Sequence, residues 1–79
     1  MQSLINTKHV VGLKQCRKYL KEGLVARLYI AEDAAPVLIH PLIELCETSG
    51  VETETCPSMS ELGAACGIDV GAAVAAILK

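Results

Sequence analysis

The sequence predicts an α/β sandwich in which helices cover both faces of a four-stranded sheet. Three observations carry this prediction. Strand-like and helix-like segments alternate, in the order short strand, helix, strand, helix, strand, helix, strand, and such alternation favours helices packed on a sheet. The connections between segments are short, as in compact domains. Hydrophobic residues make up 52% of the chain, yet Phe and Trp are absent and Tyr19 and Tyr29 are its only aromatics. The core must therefore be built from Leu, Ile, Val, Ala and Cys, side chains small enough to let helices approach a sheet closely. The 79 residues are expected to make one domain with a modest core.

Residues 2–7 are expected to form a short helical turn. His9-Val10-Val11 reads as a short strand closed by Gly12. Residues 12–22 read as a helix. Leu13, Cys16 and Leu20 recur at i, i+3 and i+7, an inward stripe, while Lys14, Lys18 and Lys21 occupy another face and Gly23 supplies the stop. A helix that begins just after a strand and a glycine offers free backbone N–H groups and the positive end of its dipole. With Lys14 and Lys18 beside it, that end makes an anion-facing corner, although an ordinary amphipathic helix accounts for Leu13, Cys16 and Leu20 completely.

Residues 25–31 (VARLYIA) read as a strand buried on most of both faces. A loop, Glu32-Asp33-Ala34-Ala35, leads to Pro36, which suits a first helical turn. A helix running on to about Thr48 would contain Pro41, which predicts a kink, or a short turn followed by a helix starting near Pro41. Leu42, Leu45 and Cys46 form its inward stripe, and Gly50 ends it. Residues 51–56 (VETETC) alternate with period two and read as an edge or half-buried strand. Pro57-Ser58 opens the next helix, with Ser58 and Glu61 placed as a capping box, and the helix stops at Gly67. Residues 72–78 (AAVAAIL) read as a central buried strand, although an alanine-rich helix fits their propensities equally well.

Net charge is −2, which taken alone argues against a nucleic-acid partner. The distribution argues otherwise. Lys8, Lys14, Arg17, Lys18, Lys21 and Arg27 all lie in the first third, where Glu22 is the only acid, and residues 28–78 hold eight acids and no Lys or Arg. A focused basic patch can steer a polyanion even when the total charge is negative; the alternative is a merely solvated helix face. Cys16, Cys46, Cys56 and Cys66 form no CxxC pair and their spacing matches no zinc knuckle with His9 and His40, so buried, inert thiols are expected and no metal or cofactor. The N-terminal residues lack the basic start and long apolar region of a secretory signal, and the apolar run over 71–78 is too short to span a bilayer. A soluble, cytoplasmic, monomeric protein is expected. An enzyme finds little support: His9 and His40 have no neighbouring Ser or Cys in a triad-like arrangement, Asp33 and Asp69 are single loop carboxylates, and no glycine-rich phosphate loop ending in GK[ST] is present.

Gly63, Gly67 and Gly71 punctuate the stretch Leu62-Gly63-Ala64-Ala65-Cys66-Gly67-Ile68-Asp69-Val70-Gly71. A loop between the last two glycines could hold Ile68 and Val70 outward, for which a covering partner is one explanation. On spacing alone, core packing of both is the commoner outcome.

Four landmarks in order carry a resemblance: Gly12-Leu13-Lys14-Gln15-Cys16-Arg17-Lys18, Ile30-Ala31-Glu32-Asp33-Ala34-Ala35-Pro36, Glu61-Leu62-Gly63 and Gly67-Ile68-Asp69-Val70-Gly71. Each alone is weak; together, at this spacing, the chain resembles the L-seven-Ae family of ribosomal proteins, whose members bind kink-turn RNA, and is most like the short bacterial branch. The resemblance runs from about Val10 to Leu78. It implies a three-layer α-β-α sandwich with a mixed four-stranded sheet. It also implies RNA-binding roles for Gly12, Lys14, Gln15 and Lys18, beside tandem sheared G·A pairs in a widened major groove. Ile68, Asp69 and Val70 would then cover a nucleotide splayed from the bulge, in keeping with recognition of RNA through its unpaired nucleotides.

Two departures stand out. Lys14-Gln15 replaces the Asn-Glu common in archaeal and eukaryotic relatives, exchanging a carboxylate acceptor for an amide that both donates and accepts; base readout is expected to differ and affinity to be lower. Pro57-Ser58-Met59-Ser60 stands where family members often carry a further lysine, removing one phosphate contact. The function implied is a non-enzymatic RNA-binding protein that recognises kink-turns, with ribosomal RNA, a riboswitch or RNase P RNA as candidate partners and the ribosome as a candidate assembly. The alternative is a protein-interaction or assembly module of the same fold with no RNA of its own.

Overall fold

Val74, Ala75 and Ala76 are fully buried, and side chains this small allow helices to close on both sides of the strand that carries them. That strand, β4 (Val74–Leu78), is central in the computed structural model, which describes residues 3–79. It lies between β1 (His9–Val11) and β2 (Val25–Ala31), antiparallel to both, and β3 (Glu52–Cys56) joins the far side of β2 in parallel. The sheet is mixed, with order β1-β4-β2-β3. A parallel pair needs a crossover, and α2 (Pro36–Ser49) supplies it between β2 and β3. The nine-residue α1 (Leu13–Lys21) follows β1, and the seven-residue α3 (Met59–Ala65) follows β3. α1 and α2 pack side by side on one face, while α3 packs against β2, β3 and β4 on the other.

All seven expected segments form, and the differences have local causes. β4 begins at Val74 rather than Ala72, because the Ala72 N–H donates to the Met59 carbonyl (3.0 Å) and so belongs to the anchor of the preceding loop. β3 is an edge strand whose first four residues are exposed. Of the turn expected over 2–7, the described part is a single turn closed by the Thr7 N–H on the Leu4 carbonyl at 3.0 Å; Gln2 lies outside the described residues. Pro41 does not divide its segment: one helix runs from Pro36 to Ser49. The carbonyl that Pro41 deprives of a partner is that of Val37, a residue left 78% exposed, so water can satisfy it. Ile39, Leu42 and Cys46 are the buried positions of α2, with Leu45 half-buried.

The four cysteines are free and buried. Burial pushes the Cys16 thiol up to about 12, with the neighbouring Cys66 and Cys46 adding to the shift, and burial also raises Cys46 and Cys66. Thiols so held are protonated and unreactive at neutral pH. His9 donates from Nδ1 to the Thr7 carbonyl at 2.6 Å, and His40 faces Glu44 one turn along α2 at 3.7 Å. Among the described residues no helix is long and apolar enough to cross a membrane.

Candidate nucleic-acid interface

The sheet register brings four connections to one end of the molecule. Val11 of β1 pairs with Ala75, Ile30 of β2 pairs with Val74, and Cys56 of β3 pairs with Ala31. The last residues of β1 and β2 therefore meet the first residues of β4, and the last residue of β3 lies beside the last of β2. Gly12, the loop 32–35, Pro57-Ser58 and the loop 67–73 all lie at that end. Since α1, α2 and α3 each follow a strand that finishes there, all three helices start there, and their positive dipole ends point the same way.

The three helix starts are not equivalent. In α3 the Ser58 hydroxyl accepts the Glu61 N–H at 3.1 Å, the serine half of the expected capping box, and the Asp33 carboxylate accepts the Met59 N–H at 2.8 Å. Two of its first-turn donors are spent internally. At α1 the N-cap is Gly12, which has no side chain to offer, and no acid lies in the first turn. Gly12 has φ +100°, a conformation that favours glycine, and a Cβ placed there would meet nothing within 4 Å. The helix tip is thus open to a partner's close approach. Lys14, Gln15 and Lys18 are exposed next to it, with the Lys18 ammonium 5.7 Å from the Tyr19 ring centroid.

This tip is tied by backbone to the strand that the 67–73 loop leads into. The Gly12 N–H donates to the carbonyl of Val74, the first residue of β4, at 3.1 Å. Within the loop, Ile68 is 36% and Val70 is 70% exposed, and Asp69 is exposed between them. Core packing, the commoner outcome on spacing alone, is ruled out by how the loop is held. It is pressed backbone-first onto α3. The Gly67 N–H donates to the Ala64 carbonyl (3.0 Å), the Ile68 N–H to the Gly63 carbonyl (3.1 Å) and the Ala72 N–H to the Met59 carbonyl (3.0 Å). A Cβ on Gly63 would collide with the Val70 carbonyl, and one on Gly71 would lie 3.1 Å from the Met59 Cβ. With the backbone turned inward, the side chains of Ile68 and Val70 are left in solvent.

The six cations of the first third do not form one patch. Lys14, Arg17, Lys18 and Lys21 lie along α1. Lys8 sits at the opposite end of the sheet, where its carbonyl accepts the Leu78 N–H at 2.9 Å. Arg27 pairs across the β2–β3 register with Glu52 at 3.0 Å. Sequence reasoning also missed a groove of about 360 Å³ between α1 and α2, lined by Lys14 and Arg17 on one wall and Val37, Leu38 and Pro41 on the other. The available signal was modest: Val37 and Leu38 fall off the buried 39-42-46 spacing of α2.

A sequence profile of the ribosomal protein L7Ae/L30e/S12e/Gadd45 family matches residues 2–79. An RNA-binding protein of Caldanaerobacter subterraneus subsp. tengcongensis is 46% identical over 69 residues, covering 87% of this chain and 84% of that protein. The large ribosomal subunit protein eL8 of Nitrosopumilus maritimus is 41% identical over 85% of this chain, which spans 53% of its length. Among solved structures, the 15.5 kD RNA-binding protein of Giardia lamblia superposes with a TM-score of 0.85 at 32% identity, over 91% of this chain and 61% of that one.

Proposed function

The chain belongs to the ribosomal protein L7Ae/L30e/S12e/Gadd45 family, and from that membership we propose a cytoplasmic, monomeric RNA-binding protein that recognises kink-turns, in ribosomal RNA or another structured RNA. It is not an enzyme; its relatives carry the names of RNA-binding and ribosomal proteins. The observation that carries the reading is that an uncapped, lysine-flanked helix tip and an outward aliphatic loop lie at the same end of the sandwich. The two parts suit the two parts of a kinked RNA. Lys14 and Lys18 neutralise phosphates, the Gly12 tip lets the backbone come close, and the Gln15 amide donates and accepts at base edges. Ile68 and Val70 cover an unstacked base, and Asp69 between them offers an acceptor to a base edge. An RNA that exchanges between extended and kinked forms is drawn to the kinked one because only that form meets both parts at once.

The test is a gel shift against a kink-turn RNA with a plain duplex as control, repeated over a salt series. Lys14→Ala and Lys18→Ala should each weaken binding and lower the slope of log affinity against log salt by about 1, the signature of one lost phosphate contact. Parent-like binding by both variants at every salt concentration would exclude this arrangement. The exposed Val37 in the α1–α2 groove favours a second reading, an assembly module that binds protein; no shift with either the kink-turn RNA or the duplex would support it.

A further inference from the structure

The segment 3–7 touches the molecule at a position that core packing alone does not explain. Leu4 is 3% exposed and acts as an anchor. Its N–H donates to the carbonyl of Ala65, the last residue of α3, at 2.7 Å, and the Ser3 hydroxyl reaches the same carbonyl at 3.5 Å. The Ile5 N–H is held by the Ser3 hydroxyl at 3.3 Å, and the turn closes through Thr7. Ile5 itself is 59% exposed, so its burial adds little to stability. Yet it is not idle: a Cβ on Gly67 would lie 3.1 Å from its Cγ1 and 3.3 Å from its Cδ1. Gly67, at φ +78°, is the pivot where α3 turns into the loop bearing Ile68 and Val70.

We infer that residues 3–5 are a strap that sets the position of the RNA-facing loop, with Leu4 as the anchor and Ile5 as a positioning residue braced against the Gly67 pivot. This rests on the reading that Ile68 and Val70 contact RNA. The strap grips α3 at its last carbonyl and the loop at its first residue. A small rotation at Gly67 would sweep Ile68 and Val70 across the contact surface, and the Ile5 side chain blocks one direction of that sweep. Pre-setting the loop lowers the ordering cost of binding. Ile5 acts through the loop and does not itself touch RNA.

Ile5→Ala is the direct test, because Ile5 is exposed and its truncation leaves the anchor in place. Three readouts are taken with a kink-turn RNA: the dissociation rate, the salt slope, and the amide NMR shifts of residues 67–71 in the free protein. The strap predicts a dissociation rate raised by roughly three- to tenfold, since changes at an interface act mainly on dissociation. It also predicts an unchanged salt slope, shifted loop amides and an unchanged urea midpoint. Combined with Ile68→Ala/Val70→Ala, Ile5→Ala should add nothing further, because the loop then has no side chains left to position. Parent-like dissociation with unmoved amides overturns the strap, and so does an effect that adds fully to the loop variant, which would mark a direct contact. If Ile68→Ala/Val70→Ala itself binds like the parent, it is the loop reading that fails; if that variant weakens binding and Ile5→Ala does not, the strap alone fails.

Discussion

At Gly63 there is no room for a methyl group. The Val70 carbonyl occupies the space a Cβ would take, and the obstacle is backbone on both sides, Val70 and Gly71, so no flexible side chain can swing away. Gly63→Ala should therefore destabilise by about 1–3 kcal/mol, the usual cost of overpacking, read as a lower urea midpoint. It should also weaken RNA binding more than its stability cost explains at protein concentrations where the chain stays folded, because the alanine must push the loop off α3. Unchanged stability would mean that loop and helix do not meet as described. The sequence marks Gly63 only as part of a Glu-Leu-Gly landmark. The reason for the glycine lies in a residue seven positions on that the chain brings back over the helix, and no local propensity encodes that contact.

Helix α3 is short, and short helices depend on their ends. Its start is held by Ser58 and Asp33, its finish by Leu4 on the Ala65 carbonyl and by the Gly67 and Ile68 N–H groups on Ala64 and Gly63. Ser58→Ala should cost about 1 kcal/mol, the typical worth of an N-cap hydroxyl, measured by chemical denaturation. The serine half of this cap was legible, since Ser58 and Glu61 stand three apart beside an apolar run. The second cap was not: Asp33 is 26 residues from Met59 and reads in sequence as an isolated loop carboxylate. In helix α2, Pro41 leaves open a kink within one helix or a new helix starting near it, and the second does not occur: burial of Ile39, Leu42 and Cys46 on either side of the proline holds one helix together.

Across the whole molecule, the division of charge decides what the basic first third can do. Four cations run along α1, whereas Lys8 and Arg27 lie toward the far end of the sheet, with Arg27 engaged by Glu52. Lys8→Ala and Arg27→Ala should leave the salt slope of RNA binding at the parent value, in contrast to Lys14→Ala. Arg27→Ala should lower stability by no more than about 1 kcal/mol, because exposed ion pairs contribute little. A salt slope reduced equally by all these variants would mean that binding follows total charge rather than one end of the fold. With a net charge of −2, the acidic remainder of the surface should repel further phosphates and so favour contact at the proposed interface.

The spacing of apolar residues, with the glycines and prolines between them, determined the segments up to α3, because burial on one face of a helix or strand leaves a period that can be read without coordinates; residues 72–78 fit strand and helix alike until β1 and β2 paired with them. The absence of Phe and Trp determined the character of the core, and β4 with its run of alanines is the result. Spacing places residues on faces within an element, but it carries no information about which distant backbone will lie against them. Whether Ile68 and Val70 turned inward or outward was decided only when the loop backbone settled on Gly63. That the loop shares one end with the α1 tip was decided by the pairing of β1 and β2 with β4. Both are long-range contacts between backbones, and backbone atoms are the same whatever the residue.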